Sequence, residues 1–142
     1  MTHFVVDASV VVKWFVPEVH SAAAARLLDS GGTFSAPDLL LVEVGNTVWK
    51  KVLRGELTAA EASTIVTAIL SIETVAPAPL LPAALEIAIA LKRSVYDSLY
   101  LALAVASNAL LVTADRKFYS AIRTSALAPS IAWIEDDFYG TV

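Results

Sequence analysis

The chain predicts an α/β fold in three layers, α/β/α, with a mainly parallel central sheet, because short strand candidates alternate with helix candidates along its 142 residues. Two further observations support that class. The first strand candidate, "HFVVD", is a β-branched run of the kind buried on both faces of a sheet. The Pro and Gly residues fall between the periodic segments, where turns belong.

Taken in order, "HFVVD" supplies a strand at residues 3–6 and "ASVVVKWFV" a short helix. "HSAAAARLLDSGG" is an Ala-rich helix stopped by its Gly pair. A short strand around "TFSA" leads to "PDLLLVEVGNTVWKKVLRG", a helix with Pro37 near its start, Lys and Arg in its last turn and Gly55 after it. "TAAEASTIVTAILSI" follows, with Thr58 and Glu61 spaced as a capping box. A strand at "ETVA", helices at "LLPAALEIAIALK" and "YDSLYLALAVASN", a strand at "ALLVT", a helix at "RKFYSAIR" and a strand at "IAWI" complete the series. Right-handed crossovers between parallel strands then put the functional edge at the carboxyl ends of the strands.

The length fits one domain over residues 1–142, with no repeat or flexible linker. Hydrophobic residues make up 57% of the chain and the mean hydropathy is +0.68, so a membrane span is the first alternative to exclude. The longest run without charge, Ser98 to Ala114, falls short of the roughly 20 residues a span needs. The excess apolar content fits instead a large core and a self-association face. The N-terminus lacks a basic segment and carries Asp7 inside its apolar run, which reads as a mature cytoplasmic start. With no cysteine there is no disulfide framework, thiolate metal site or cysteine nucleophile. A net charge of −4 argues against a general electrostatic grip on nucleic acid, so any such contact must come from a local basic rim.

"LLLVEVGNTVW" carries a single carboxylate, Glu43, in an apolar setting where an unpaired charge costs several kcal/mol. Three other acids share that setting: Asp7 in "FVVDASV", Asp97 in "SVYDSLY" and Asp115 in "LVTADRK". Asp7 and Asp115 follow strand candidates and should emerge at the carboxyl edge of the sheet. Asp97 opens the helix that feeds the Asp115 strand, and Glu43 lies about 7.5 Å along its helix from Asp38, so both belong near the same edge. Taken singly, Asp97 also reads as a helix-dipole cap, and Asp7 and Asp115 as ordinary turn residues. Taken together, four converging carboxylates repel one another unless a divalent cation neutralises them. Oxygen-only ligands suit Mg²⁺ or Mn²⁺, and phosphodiester hydrolysis is the reaction class such a centre serves.

At these residues the chain resembles the PIN-domain ribonucleases, especially the VapC-type toxins of toxin–antitoxin pairs. The resemblance is carried by "VVDASVVVKWFVPE" at 5–18, "VEVGNTVWK" at 42–50, "VYDSLYLALA" at 95–104 and "LVTADRKF" at 111–118, in the family's order. It implies a sheet between helical layers, Mg²⁺- or Mn²⁺-dependent RNA cleavage, a homodimer, and inhibition by a small VapB-like antitoxin whose tail enters the active site. It also implies that Asp7, Glu43, Asp97 and Asp115 are the acidic catalytic and metal-binding positions. Asn46 lies one helical turn from Glu43 and is a candidate to hold a carboxylate or substrate group, or simply an exposed Asn. Ser9 and Thr113, each two residues from an acid, are candidates for supporting hydroxyls or for local turn bonding.

Lys92 and Arg93 precede Asp97, Arg116 and Lys117 follow Asp115, and Lys13 lies six residues beyond Asp7. All five are candidates for RNA phosphates, with solvated surface charge as the plain alternative. Lys50, Lys51 and Arg54 end the Glu43 helix and are read as complements to its dipole. "IEDDF" at 134–138 reads as a solvated turn, and His3 and His20 have no metal-ligand spacing. Trp14, Trp49 and Trp133 fall in apolar segments and read as packing residues.

A receiver-type phosphoacceptor would need an Asp after the middle strand, where "ETVAPAP" has none, and a haloacid-dehalogenase-like phosphatase would need Asp-x-Asp where the chain has "DAS". The remaining alternatives are a non-catalytic module of the same fold that binds protein or RNA, and an RNA-processing nuclease without an antitoxin.

Overall fold

The computed structural model describes residues 2–138, so the ends of the domain expected over 1–142 lie outside the described residues. Five strands build the sheet: β1 (His3–Val6), β2 (Thr33–Pro37), β3 (Glu73–Val75), β4 (Leu110–Thr113) and β5 (Ile131–Trp133). The helices are α1 (Ala8–Val11), α2 (Ser21–Leu28), α3 (Leu39–Leu53), α4 (Ala59–Ile69), α5 (Leu81–Leu91), α6 (Val95–Ala106) and α7 (Arg116–Ile122).

The strand order is β3-β2-β1-β4-β5 and every pairing is parallel. After β1 the chain builds outward through β2 and β3, then returns to the other side of β1 for β4 and β5. That reversal makes the carboxyl end of β1, beside β4, the switch point where an open α/β sheet leaves a crevice. β1 is central, and Phe4, Val5 and Val6 are buried, as a strand covered on both faces must be. Val10, Val11, Leu27, Leu40, Val44, Leu101 and Ile122 cover it from the helices.

Local rules account for most of the boundaries. Thr58 and Glu61 form the expected capping box at the start of α4. Gly55 adopts φ +75° after α3, where an L side chain would be strained, and Glu56 N–H returns to Lys51 C=O. Two boundaries differ from the sequence reading. Pro37 ends β2, opposite Val75, instead of opening α3; its fixed φ suits both places, and the pairing with β3 decides between them. The helix expected over "ASVVVKWFV" stops at Val11 and tightens into a 3-10 turn, Val12–Trp14. Trp14 Nε1 donates to Ala24 C=O and its ring meets Phe34 edge-on, which turns the chain toward α2. Among the described residues, no helix is long and apolar enough to cross a membrane.

Candidate active site

Four elements deliver the four acids to the carboxyl end of the sheet. Asp7 directly follows β1 and caps α1, its carboxylate accepting from Val10 N–H. Asp115 lies two residues past β4 and caps α7 in the same way, accepting from the N–H groups of Lys117 and Phe118. Asp97 sits in the first turn of α6, where the helix dipole favours its charge, and the N-cap itself is Ser94, whose Oγ accepts from Asp97 N–H. Glu43 projects from the second turn of α3. All four line one cavity of about 90 Å³, together with Ser9, Tyr100 and Phe118.

Each carboxylate is held by a different partner. Asp7 is only 8% exposed, and both its oxygens are engaged: Ser9 Oγ donates to Oδ1 and Thr113 Oγ1 donates to Oδ2. The same hydroxyls accept from the β4 edge, Ser9 from Ala114 N–H at 2.9 Å and Thr113 from Asp115 N–H at 3.1 Å. Asp7 and the start of α7 are thereby locked together by two side chains whose nearest sequence signal was a spacing of two. Glu43 accepts from Tyr100 Oη at 2.5 Å, and Asp97 pairs with Arg93 Nη2 at 2.8 Å.

The electrostatics show the acids feeling one another. Burial pushes the Asp7 carboxyl up to about 6; the bonds from Ser9, Thr113 and Val10 offset part of that, and the Asp115 charge adds to it. Burial also raises Glu43, the Tyr100 bond opposes that, and the Asp97 charge raises it further. Tyr100 is raised by burial, then by Glu43, and by Asp7 and Asp97, so it stays a neutral donor at any working pH. Tyr100 was not singled out from sequence. Its signal was the three-residue step from Asp97, which puts both on one face of α6.

The donor set suits a hard divalent cation: four carboxylates around one cavity, with Asp7 raised by burial and the Asp115 charge and Glu43 by burial and the Asp97 charge. Each carboxylate accepts from at least one protein donor as it stands, and among the described residues no three acidic or His side chains are drawn together as a ready-made metal cage. Glu43 and Asp97 each meet these partners through one oxygen, Oε1 to Tyr100 and Oδ2 to Arg93, so an ion could be met by the other oxygen of each without breaking those bonds.

The other candidates are spread around this cavity. Asn46 is exposed and does not line it. Arg93 faces Asp97 and lies over the Phe118 ring at 5.5 Å, whereas Lys92 is exposed at the end of α5. Arg116 stacks over Trp133 at 3.9 Å, and Lys117 is exposed. Lys13 pairs with Glu18 at 2.9 Å. Lys51, read as a dipole complement, instead sends its ammonium to Glu18 at 3.0 Å and toward Glu56 at 3.7 Å. Within "IEDDF", Glu135 pairs with His20 and Arg26, and Asp136 accepts from Trp133 N–H, so the segment is an ordered turn. His3 bridges Ser35 and Thr33 across the β1–β2 register.

The PIN domain family model matches residues 4–123. Ribonuclease VapC3 of Pyrobaculum aerophilum is 33% identical over 117 residues, 80% of this chain and 89% of that protein. The crystal structure of PAE2754 from Pyrobaculum aerophilum superposes with a TM-score of 0.69 at 24% identity, covering 94% of this chain and 85% of that one. Mycobacterium tuberculosis VapC20, a toxin that cleaves the sarcin–ricin loop, superposes with a TM-score of 0.65 at 19% identity, covering 83% and 94%. A chain of VapBC2 from Rickettsia felis, solved bound to a DNA fragment from their promoter, gives 0.64 at 18%, covering 93% and 97%. With the sheet order, the matched segment and a relative of this identity in agreement, the chain belongs to the PIN domain family.

Proposed function

We propose that the protein is a divalent-cation-dependent endoribonuclease, the toxin of a type II toxin–antitoxin pair. One observation carries the catalytic part: four carboxylates from four separate elements line a single small cavity at the switch point of a parallel sheet. The kinship with Ribonuclease VapC3 supports RNA as the substrate.

In this reading Asp7, Glu43, Asp97 and Asp115 hold Mg²⁺ or Mn²⁺. The cation supplies charge neutralisation at the scissile phosphate and acidifies a water. Ser9 and Thr113 fix Asp7 in one orientation, and Tyr100 fixes Glu43, so the carboxylates meet the cation with little reorganisation. A cytoplasmic location fits this reading, since RNA is its substrate. The antitoxin partner is supported by the VapC kinship, and a homodimer by the stripe Leu81, Leu85 and Ile89, which is 48%, 50% and 71% exposed along one face of α5.

The test compares the parent with Asp7→Asn and Asp97→Asn on a labelled RNA, with Mn²⁺ or with a chelator, alongside calorimetric Mn²⁺ titration. The expected result is cleavage by the parent only with the cation, and loss of both cleavage and tight Mn²⁺ binding in the folded variants. Variants that fold and cleave like the parent refute the mechanism. A parent that binds RNA and neither cleaves it nor binds Mn²⁺ is the non-catalytic module. Leu85→Glu with Ile89→Glu should lower the mass in solution if α5 is the dimer face, and a small protein encoded beside this chain should co-purify with it if the pair exists.

A further inference from the structure

A second cavity, of about 310 Å³, adjoins the acidic one, and Ala8 and Ser9 line both. Its walls are the turn after α1 and the C-terminal half of α3, which pack against each other. Four cations line it, Lys13, Lys50, Lys51 and Arg54, against one carboxylate, Glu18. In a chain of net charge −4 that is a marked local reversal of sign. Periodicity explains it. Thr47 lies four residues after Glu43, Lys50 and Lys51 three and four after Thr47, and Arg54 four and three after those, so α3 and its C-cap carry an acid near one end of a face and cations along the rest, over about 16 Å.

The cleft also contains its own anion probe. Glu18 comes from the loop before α2, and its two oxygens meet Lys13 Nζ at 2.9 Å and Lys51 Nζ at 3.0 Å. The two lysine side chains are largely covered, at 12% and 13% exposure, and their ammonium groups converge on a single carboxylate. Partial burial raises the Glu18 carboxyl, and the two lysines outweigh that and hold it below its ordinary range. Lys50 and Arg54 remain exposed on the same wall.

We propose that this cleft takes the backbone phosphates of the RNA strand as it leaves the acidic cavity, with Lys13, Lys51, Lys50 and Arg54 as the binding groups and Glu18 as a carboxylate that a phosphate displaces. The inference rests on the ribonuclease reading of the acidic site. Phosphate fits better than an acidic protein segment because the cleft continues from the cavity where a phosphodiester would react, and a strand lying across both needs cations on one side of the acids. Glu18 then acts as an internal competitor: it holds the lysines in position and must yield them when RNA binds.

The experiment is fluorescence anisotropy of a fluorescein-labelled single-stranded RNA over a salt series in chelator, with the probe confirmed intact on a gel. The proteins are the parent, the Lys50→Ala/Arg54→Ala double variant, Lys51→Ala, Glu18→Gln, and Arg26→Ala as a charge control that pairs with Glu135 outside the cleft. Lys50 and Arg54 are exposed, so the double variant folds. Its plot of log affinity against log salt should flatten by about 1.4, at about 0.7 for each phosphate that is no longer neutralised. Glu18→Gln should bind more tightly than the parent at every salt concentration. The inference is overturned if the double variant keeps the parent's slope, if Arg26→Ala flattens it equally, if Glu18→Gln gains nothing, or if the parent binds no RNA. Cleavage that depends on Asp7 and Asp97 alongside an unchanged slope would remove the cleft and leave the ribonuclease reading standing.

Discussion

Tyr100 reaches from α6 to Glu43 on α3 and donates its hydroxyl proton to Glu43 Oε1, joining two helices that each carry an acid of the cavity. Asp97 and Tyr100 are a helical step apart, so one face of α6 provides both a carboxylate and the donor that orients another.

Tyr100→Phe removes that donor and leaves Glu43 half-buried without it. The Glu43 carboxyl then moves further up, because the bond that held it down is gone while burial and the Asp97 charge remain. The midpoint pH for Mn²⁺ binding at fixed Mn²⁺ should rise, and stability should fall by about 1–2 kcal/mol in urea. An unchanged pH profile would make Tyr100 a packing residue only.

Ser9→Ala deprives two groups at once, Asp7 Oδ1 of a donor and Ala114 N–H of an acceptor. The expected cost is about 2–3 kcal/mol, seen as a lower urea midpoint with an unchanged slope. Ser9→Thr keeps the hydroxyl and should recover most of the loss.

Asp7 makes stability depend on pH in a defined direction. Its folded pKa, raised by burial to about 6, lies above the ordinary 3.8. The folded chain therefore holds the proton more tightly, and the associated stability is full below pH about 3.8 and lost as pH rises through about 6. The metal-free parent should lose about 3 kcal/mol over that window that Asp7→Asn does not lose. Saturating Mg²⁺ should restore it in the parent alone, and thermal melts at several pH values read the difference.

Arg93→Ala removes a guanidinium that pairs with Asp97. A cation entering the cavity no longer competes with it, so Mn²⁺ should bind about fivefold more tightly, equivalent to an ion pair of about 1 kcal/mol. Weaker binding would show instead that Arg93 is needed to aim Asp97.

The fold was legible because its strands are short apolar runs set between strongly periodic helices, and the parallel topology follows from their alternation. The four acids were legible for a related reason: a carboxylate in "LLLVEVGN" contrasts with its surroundings. What stayed hidden were relationships carried by rotamer and packing. Lys51 ends a helix and satisfies the dipole rule on paper, yet its side chain is pulled to Glu18, a residue thirty-three positions away in another element. Tyr100 looks like one more aromatic in an apolar helix until α3 is packed against it. Pro37 fits a strand end and a helix start equally, and only the pairing with Val75 chooses.

The order in which the acids occur has a consequence for the chain as it is made or cut. The first comes at position 7 and the last at 115, and the two are tied through Ser9 and Thr113 only once β1 and β4 lie side by side. No fragment short of β4 contains the donor set, and a nick between α6 and β4 separates Asp115 from the other three. On the proposed metal-binding reading, cation affinity is therefore a readout of the finished tertiary structure, and a chain that stops short of Asp115 lacks one of the four ligands.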